Sequence, residues 1–170
     1  MNLQKTYTVL DCTVLDNCIT DDHNDATWDI NTNATFTRGD SYTSYKQTNT
    51  SNTAIIYLLN LFDGCTVDME LKQVDGSYGN GIFNIYSSST GLTYFALQNL
   101  GYTSTDNPVG EWIKLRLTID GTSATLTNID DPTKTKTNTW SSGTPNKLRF
   151  VLSSSTVTEF QFKSIKIYPI

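Results

Sequence analysis

The chain has 170 residues, of which 37% are hydrophobic and only 17% charged, with a net charge of −5. That length suits one domain with one well-buried core over residues 1–170. Twelve scattered Lys and Arg exclude a nucleic-acid surface, which needs clustered cations to neutralise phosphates, and no apolar run is long enough for membrane insertion.

Ordinary domains carry roughly a quarter charged residues. Here Thr, Ser and Asn take that place and fill about a third of the chain. Thr is β-branched and suits a pleated, half-exposed surface, while Asn and Ser suit turns, so composition alone leans to all-β.

Residues 1–15 are polar, lack the apolar core of a secretory leader, and read either as a first strand or as a connection to a preceding domain. An acidic segment follows with Asp16, Asn17, Asp21, Asp22, Asn24 and Asp25. Calcium takes six to eight oxygen ligands, so Asp21, Asp22 and Asp25 are the candidate metal ligands, although the spacing is not that of an EF-hand. No other cofactor is required. His23 is the sole histidine, too little for a zinc site or a serine triad. Cys12, Cys18 and Cys65 make an odd count, which fits one pair plus a free thiol or three buried thiols.

Strands are expected at 34–37, 41–46 and 54–59, and then at 65–73 with Val67, Met69 and Leu71 inward. Further strands are expected at 81–87 with Phe83 and Ile85 inward, and at 93–98 with Phe95 and Leu97 inward. The clearest is 111–119, where Ile113, Leu115, Leu117 and Ile119 alternate with Trp112, Lys114, Arg116 and Thr118. Asp120-Gly121 turns it into a hairpin with 123–128. Residues 133–138 are too polar to assign. Strands at 147–152 and 159–168 close the chain, the last with a phase change near Lys163-Ser164 that predicts a bulge. Turn signals such as Asp63-Gly64, Thr90-Gly91 and Gly143-Thr144-Pro145 separate these runs. No helix is expected.

Three stretches carry a resemblance to a known family. The first is Thr66-Val67-Asp68-Met69-Glu70-Leu71-Lys72 with Gly81-Ile82-Phe83-Asn84-Ile85-Tyr86; the second is Gly110-Glu111-Trp112-Ile113-Lys114-Leu115-Arg116-Leu117; the third is Phe162-Lys163-Ser164-Ile165-Lys166-Ile167-Tyr168. Together they resemble the concanavalin A-like lectin and glucanase superfamily, particularly its laminin-G-like and carbohydrate-module branches. Asp16-Asn17-Cys18, Asp21-Asp22 and Trp28-Asp29-Ile30 resemble the opening of lectin-like modules in phage tail proteins and microbial adhesins. The resemblance implies a two-sheet antiparallel jelly-roll sandwich. It also implies a non-catalytic carbohydrate-binding or adhesion module, extracellular, displayed on a virion or cell surface, with a cell-surface glycan or polysaccharide as partner. A structural or oligomerising domain within a larger assembly is the alternative, and a glycan hydrolase a further one.

Glucanases of this superfamily use Glu-x-Asp-x-Glu on one strand, and the nearest match is Asp68-Met69-Glu70 with Lys72 next on the same face. Lys72 is expected to pair with Glu70 and hold its carboxyl ionised, which is wrong for a general acid, so an enzyme is not expected. Sugar binding needs aromatic faces for stacking and amides or carboxylates for hydroxyls. The outward positions of three strands expected to be neighbours supply Glu70 and Lys72, Asn84 and Tyr86, and Tyr94 and Gln98. Tyr78, Tyr102 and Trp140 stand in loops; Trp140 either joins the sugar site or packs back onto the sandwich edge. Lys147 and Arg149 alternate along their strand and read as a solvated face.

Overall fold

The computed structural model describes residues 28–30, 33–38, 41–48, 51–58, 61–153, 155 and 157–170. Twelve strands run through them: β1 (Trp28–Ile30), β2 (Ala34–Arg38), β3 (Thr43–Gln47), β4 (Ala54–Leu58), β5 (Cys65–Gln73), β6 (Gly81–Ser87), β7 (Thr90–Ala96), β8 (Ile113–Asp120), β9 (Ser123–Asn128), β10 (Thr135–Thr139), β11 (Lys147–Leu152) and β12 (Glu159–Pro169). One sheet has seven strands in the order β10-β9-β8-β5-β12-β3-β2, the other five in the order β1-β4-β11-β6-β7. Every pairing is antiparallel. The expected segment 1–15 lies outside the described residues.

Period-two alternation puts one face of each central strand between the sheets. Val67, Met69 and Leu71 enter from β5, Leu115, Leu117 and Ile119 from β8, and Phe160, Phe162, Ile165 and Ile167 from β12. Ile56 and Leu58 meet them from β4, Phe83 and Ile85 from β6, Phe95 from β7, and Leu148, Phe150 and Leu152 from β11. Phe150 stands at the centre. Its ring lies 5.6 Å from Phe83 within its own sheet, and 5.7 Å and 5.2 Å from Phe160 and Phe162 of the opposite sheet. These edge-on contacts suit the ring quadrupoles. Cys65 is a free, buried thiol, and burial pushes its pKa up, so it packs as a small hydrophobe.

Three local outcomes differ from the sequence pattern. The expected strand 93–98 is shifted: β7 ends at Ala96, and Leu97–Leu100 form a 3-10 turn closed by Gly101 at φ 93°. Leu97 is still buried, and alternation alone cannot tell an inward strand residue from an inward turn residue. The Thr90-Gly91 signal lies inside β7, while the hairpin turns at Ser88-Ser89 with Ser88 at φ 52°. Gly91 lies under the Tyr86 ring, where a Cβ would sit at van der Waals contact, 3.4 Å away.

The third difference is β10, a strand with hardly any apolar residue. Its hydroxyls pair with those of β9, Thr137 with Thr125 and Thr135 with Thr127, each at 2.8 Å. Its Asn138 amide donates to the Tyr94 carbonyl at 2.8 Å, tying this strand of the seven-stranded sheet to the edge strand of the other. The bulge expected in β12 is present as a register shift between Phe162 and Ser164.

Replacing Phe150 with Ala is expected to cost about 3–5 kcal/mol, because the cavity opens between both layers at once. Urea unfolding of the variant against the wild type measures it.

Candidate functional site

The expected binding residues divide between two opposite faces. Glu70 and Lys72 stand on β5, in the seven-stranded sheet; Asn84, Tyr86 and Tyr94 stand on β6 and β7, in the five-stranded sheet. The expectation that these three strands are neighbours is corrected: residues 74–80 carry the chain across the sandwich, and β6 pairs with β11 and β7. Gln98 lies past the end of β7 in the 3-10 turn, with Oε1 3.0 Å from where a Gly79 Cβ would sit. Trp140 is partly buried against the core, its indole N–H donating to the Gly143 carbonyl at 3.0 Å, so it packs at the sandwich edge. Tyr102 is buried and accepts a hydrogen bond from Asn128 Nδ2 at 2.5 Å, and Tyr78 packs against the core. The Tyr102 ring is thus taken up in the core. Asp21, Asp22 and Asp25 lie outside the described residues, and among the described residues no three His, Cys, Asp or Glu side chains cluster as a metal site.

The outer face of the seven-stranded sheet carries cross-strand ion pairs. Arg116 grips Asp68 with two hydrogen bonds of 2.7 Å, and the Tyr168 hydroxyl donates to the same carboxylate at 3.0 Å. Burial alone would raise the Asp68 pKa, but Arg116 and Tyr168 outweigh it and hold the carboxyl below its usual range. Lys72 does not pair with Glu70 as expected. The β12 bulge turns Lys163 outward, and its ammonium lies 3.1 Å from Glu70 Oε1 and 4.3 Å from the centre of the Trp112 ring. Lys72 lies 6.0 Å from the centre of the same ring. Beside this face, Lys134 bonds Asp106 at 2.8 Å and, with Thr103, holds that carboxyl well below the usual range.

The outer face of the five-stranded sheet is different in kind. Cross-strand register aligns Tyr57, Arg149, Asn84 and Tyr94 in one row on β4, β11, β6 and β7, with Asp29 of β1 opposite Tyr57 at its end. Lys147 and Tyr86 stand side by side two residues along. Three strand spacings separate the end tyrosines of the row, a reach of about 14 Å. Tyr94 is 54% exposed, the only exposed aromatic ring among the described side chains. Tyr86 meets Tyr57 edge-on at 6.4 Å, and its hydroxyl accepts from Arg149 Nη1 at 2.7 Å. The Lys147 ammonium sits 4.2 Å from the centre of the Tyr57 ring. The Asn84 amide makes no hydrogen bond among the described residues.

Tyr57, Lys147 and Arg149 were not anticipated as site residues. Alternation already turns Lys147 and Arg149 outward together. Their value depends on β11 lying between β4 and β6, a long-range pairing that no local pattern encodes.

No family model matches the chain, and no curated protein matches it. Solved structures do. A sialidase aligns with TM-score 0.58 and 7% identity over 84% of this chain, which spans only 17% of the sialidase chain. The exoplasmic/lumenal domain of VIP36, in a form bound to calcium and Man3GlcNAc, aligns with TM-score 0.55 and 10% identity over 85% of this chain and 84% of that one. Domain 4 of AbnA, an extracellular arabinanase from Geobacillus stearothermophilus, in complex with arabinotriose, aligns with TM-score 0.52 and 10% identity over 84% and 82%. At such identities the likeness establishes the fold: a two-sheet antiparallel jelly-roll sandwich of the concanavalin A-like kind.

The two depressed carboxyls set an acid limit. Asp68 and Asp106 titrate lower folded than unfolded, so the stability they contribute is fully present above the unfolded value of about 4 and is lost as pH falls below it. Urea unfolding across a pH series is expected to show stability dropping below pH about 4, and Asp68→Asn to flatten that drop.

Proposed function

We propose that this domain is a non-catalytic carbohydrate-binding module, displayed on a cell or virion surface, and that its sugar-binding face is the outer face of the five-stranded sheet. The observation that carries this reading is Tyr94: an open ring on a rigid strand, one position from an uncommitted amide at Asn84 and in line with Tyr57. Sugar recognition needs that pairing of an apolar platform with hydrogen-bonding groups. Two structural neighbours hold sugars, Man3GlcNAc on the VIP36 domain and arabinotriose on the AbnA domain, which supports the reading.

The non-catalytic part rests on the seven-stranded face. Retaining hydrolysis wants one carboxyl protonated beside one ionised. Asp68 is held ionised by a bidentate Arg116, and the Glu70 carboxylate is taken up by Lys163, so the two do not stand as a free acid and nucleophile. The row on the other face contains no acid among β4, β6, β7 and β11. Asp21, Asp22 and Asp25 keep their candidate role as calcium ligands in this reading; their test is a rise in melting temperature on adding calcium, reversed by a chelator.

A glycan array followed by calorimetry on the isolated domain tests the reading. Binding is expected, with Tyr94→Ala weakening it about tenfold while the melting temperature stays put, because an exposed ring contributes stacking to the ligand and little to the fold. If no glycan binds and light scattering shows a stable oligomer, the face is a packing surface and the structural reading replaces this one. Release of new reducing ends from any bound oligosaccharide would overturn the non-catalytic part.

A further inference from the structure

We infer that the ligand of this face is an acidic saccharide, one whose carboxylate is held by Arg149 and Lys147 while its ring stacks on Tyr94. The inference rests on the carbohydrate-binding reading and names the ligand class.

Its ground is the contrast between the two outer faces. Every ion pair between described residues lies on the seven-stranded sheet or its loops: Lys46 with Glu159, Lys114 with Asp130, Arg116 with Asp68, Lys134 with Asp106, and Lys163 with Glu70. None involves a strand of the five-stranded sheet. Yet Lys147 and Arg149 stand two residues apart on the same face of β11, at the middle of that sheet. Their neighbours are aromatic: Lys147 over Tyr57, and Arg149 5.4 Å from the centre of the Tyr86 ring. The one acidic residue among the sheet's strands, Asp29, stands on β1 beyond Tyr57.

Arg149 is held but not satisfied. Its Nη1 gives one N–H to the Tyr86 hydroxyl and its Nε is buried, while its Nη2 makes no hydrogen bond among the described residues, so the Nη1/Nη2 edge is the part left to a ligand. A guanidinium is planar and presents paired N–H donors that match a carboxylate with two parallel hydrogen bonds. Tyr86 holds this one in place through that hydrogen bond and through its ring, which itself packs against Gly91. A cation already oriented loses little freedom when an anion arrives. Next along the row come the Asn84 amide and the Tyr94 ring, one and two strand spacings of about 4.8 Å away. A pyranose carrying a carboxylate on one side fits that order: anion on Arg149, hydroxyls on Asn84, ring face on Tyr94.

Matched pairs test it: oligogalacturonates and sialyl-oligosaccharides, each beside its carboxyl-reduced counterpart, with sulfated oligosaccharides as a separate arm, titrated by calorimetry at low and high salt. The acid form is expected to bind about tenfold more tightly than its reduced partner, with the gap narrowing at high salt. Arg149→Gln is expected to bring the acid form down to the level of the neutral one. Because Arg149 also steadies Tyr86, Lys147→Gln supplies a second variant, expected to narrow the gap without disturbing that hydrogen bond. Equal, salt-independent binding of acid and reduced sugars would overturn the inference and leave the carbohydrate reading standing. Binding of sulfated sugars alone would overturn the carboxylate assignment. Binding of no sugar at all overturns both.

Discussion

The sandwich depends on a single aromatic junction. Phe150 of β11 reaches across the interior to Phe160 and Phe162 of β12 while touching Phe83 within its own sheet. Because β11 is the middle strand of the five-stranded sheet, fixing Phe150 inward fixes the strand's pleat. Lys147, Arg149 and Val151 must then face out. The core contact and the display of the two cations are one constraint seen from two sides, since a register slip of one residue would lose both.

The two outer faces spend their polar groups differently. On the seven-stranded sheet, charged and hydroxyl groups find partners across strands: Arg116 on Asp68, Lys163 on Glu70, and the Thr pairs of β9 and β10. Such exposed pairs add little stability each. Their consequence is chemical: a surface whose donors and acceptors meet each other has little left to offer a ligand. On the five-stranded sheet the side chains interact mainly through rings, and ring contacts leave hydrogen-bonding capacity unused. Tyr57 and Tyr86 orient Lys147 and Arg149 without neutralising them.

Much of this was legible along the chain, and the limit has a clear physical cause. β5, β6, β9 and β11 fall where alternation and turn residues place them, because strand existence is a local property. The β12 bulge was legible for the same reason: Phe162 and Ile165 cannot both face inward with two residues between them unless one is extra. Layer assignment was not. The chain runs β5, β6, β7 in sequence, which suggests one meander, yet β5 pairs with β8 and β12 while β6 pairs with β11 and β7. Nothing in residues 74–80 distinguishes a turn within a sheet from a crossing between sheets. The same gap hid the partner of Glu70. Lys72 is the neighbour in sequence, whereas Lys163 is the neighbour in space, ninety-three positions away. Residues 133–138 could not be assigned from the sequence because hydroxyl pairs and one amide hydrogen bond, in place of an apolar stripe, hold β10.

A net charge of −5 gives these placements a further meaning. A molecule that is acidic overall repels anions at long range, so an anion-accepting site on it cannot rely on a general field. It must rely on short-range geometry, with cations held in position by groups that do not cancel them. Acidic partners would defeat that purpose, and water alone would leave the long side chains free to swing away. Aromatic rings meet both conditions, attracting a cation through the ring face while leaving its N–H donors available to a ligand. Beyond a Debye length the face is screened like any other surface, so only the short-range order of the row from Tyr57 to Tyr94 is left to select a ligand in the proposed binding mode. The low charge content that first marked this chain as unusual is thus matched to its folded form: few charges are present, the ion pairs among the described residues gather on one face, and Lys147 and Arg149 on the other meet aromatic side chains instead of acids.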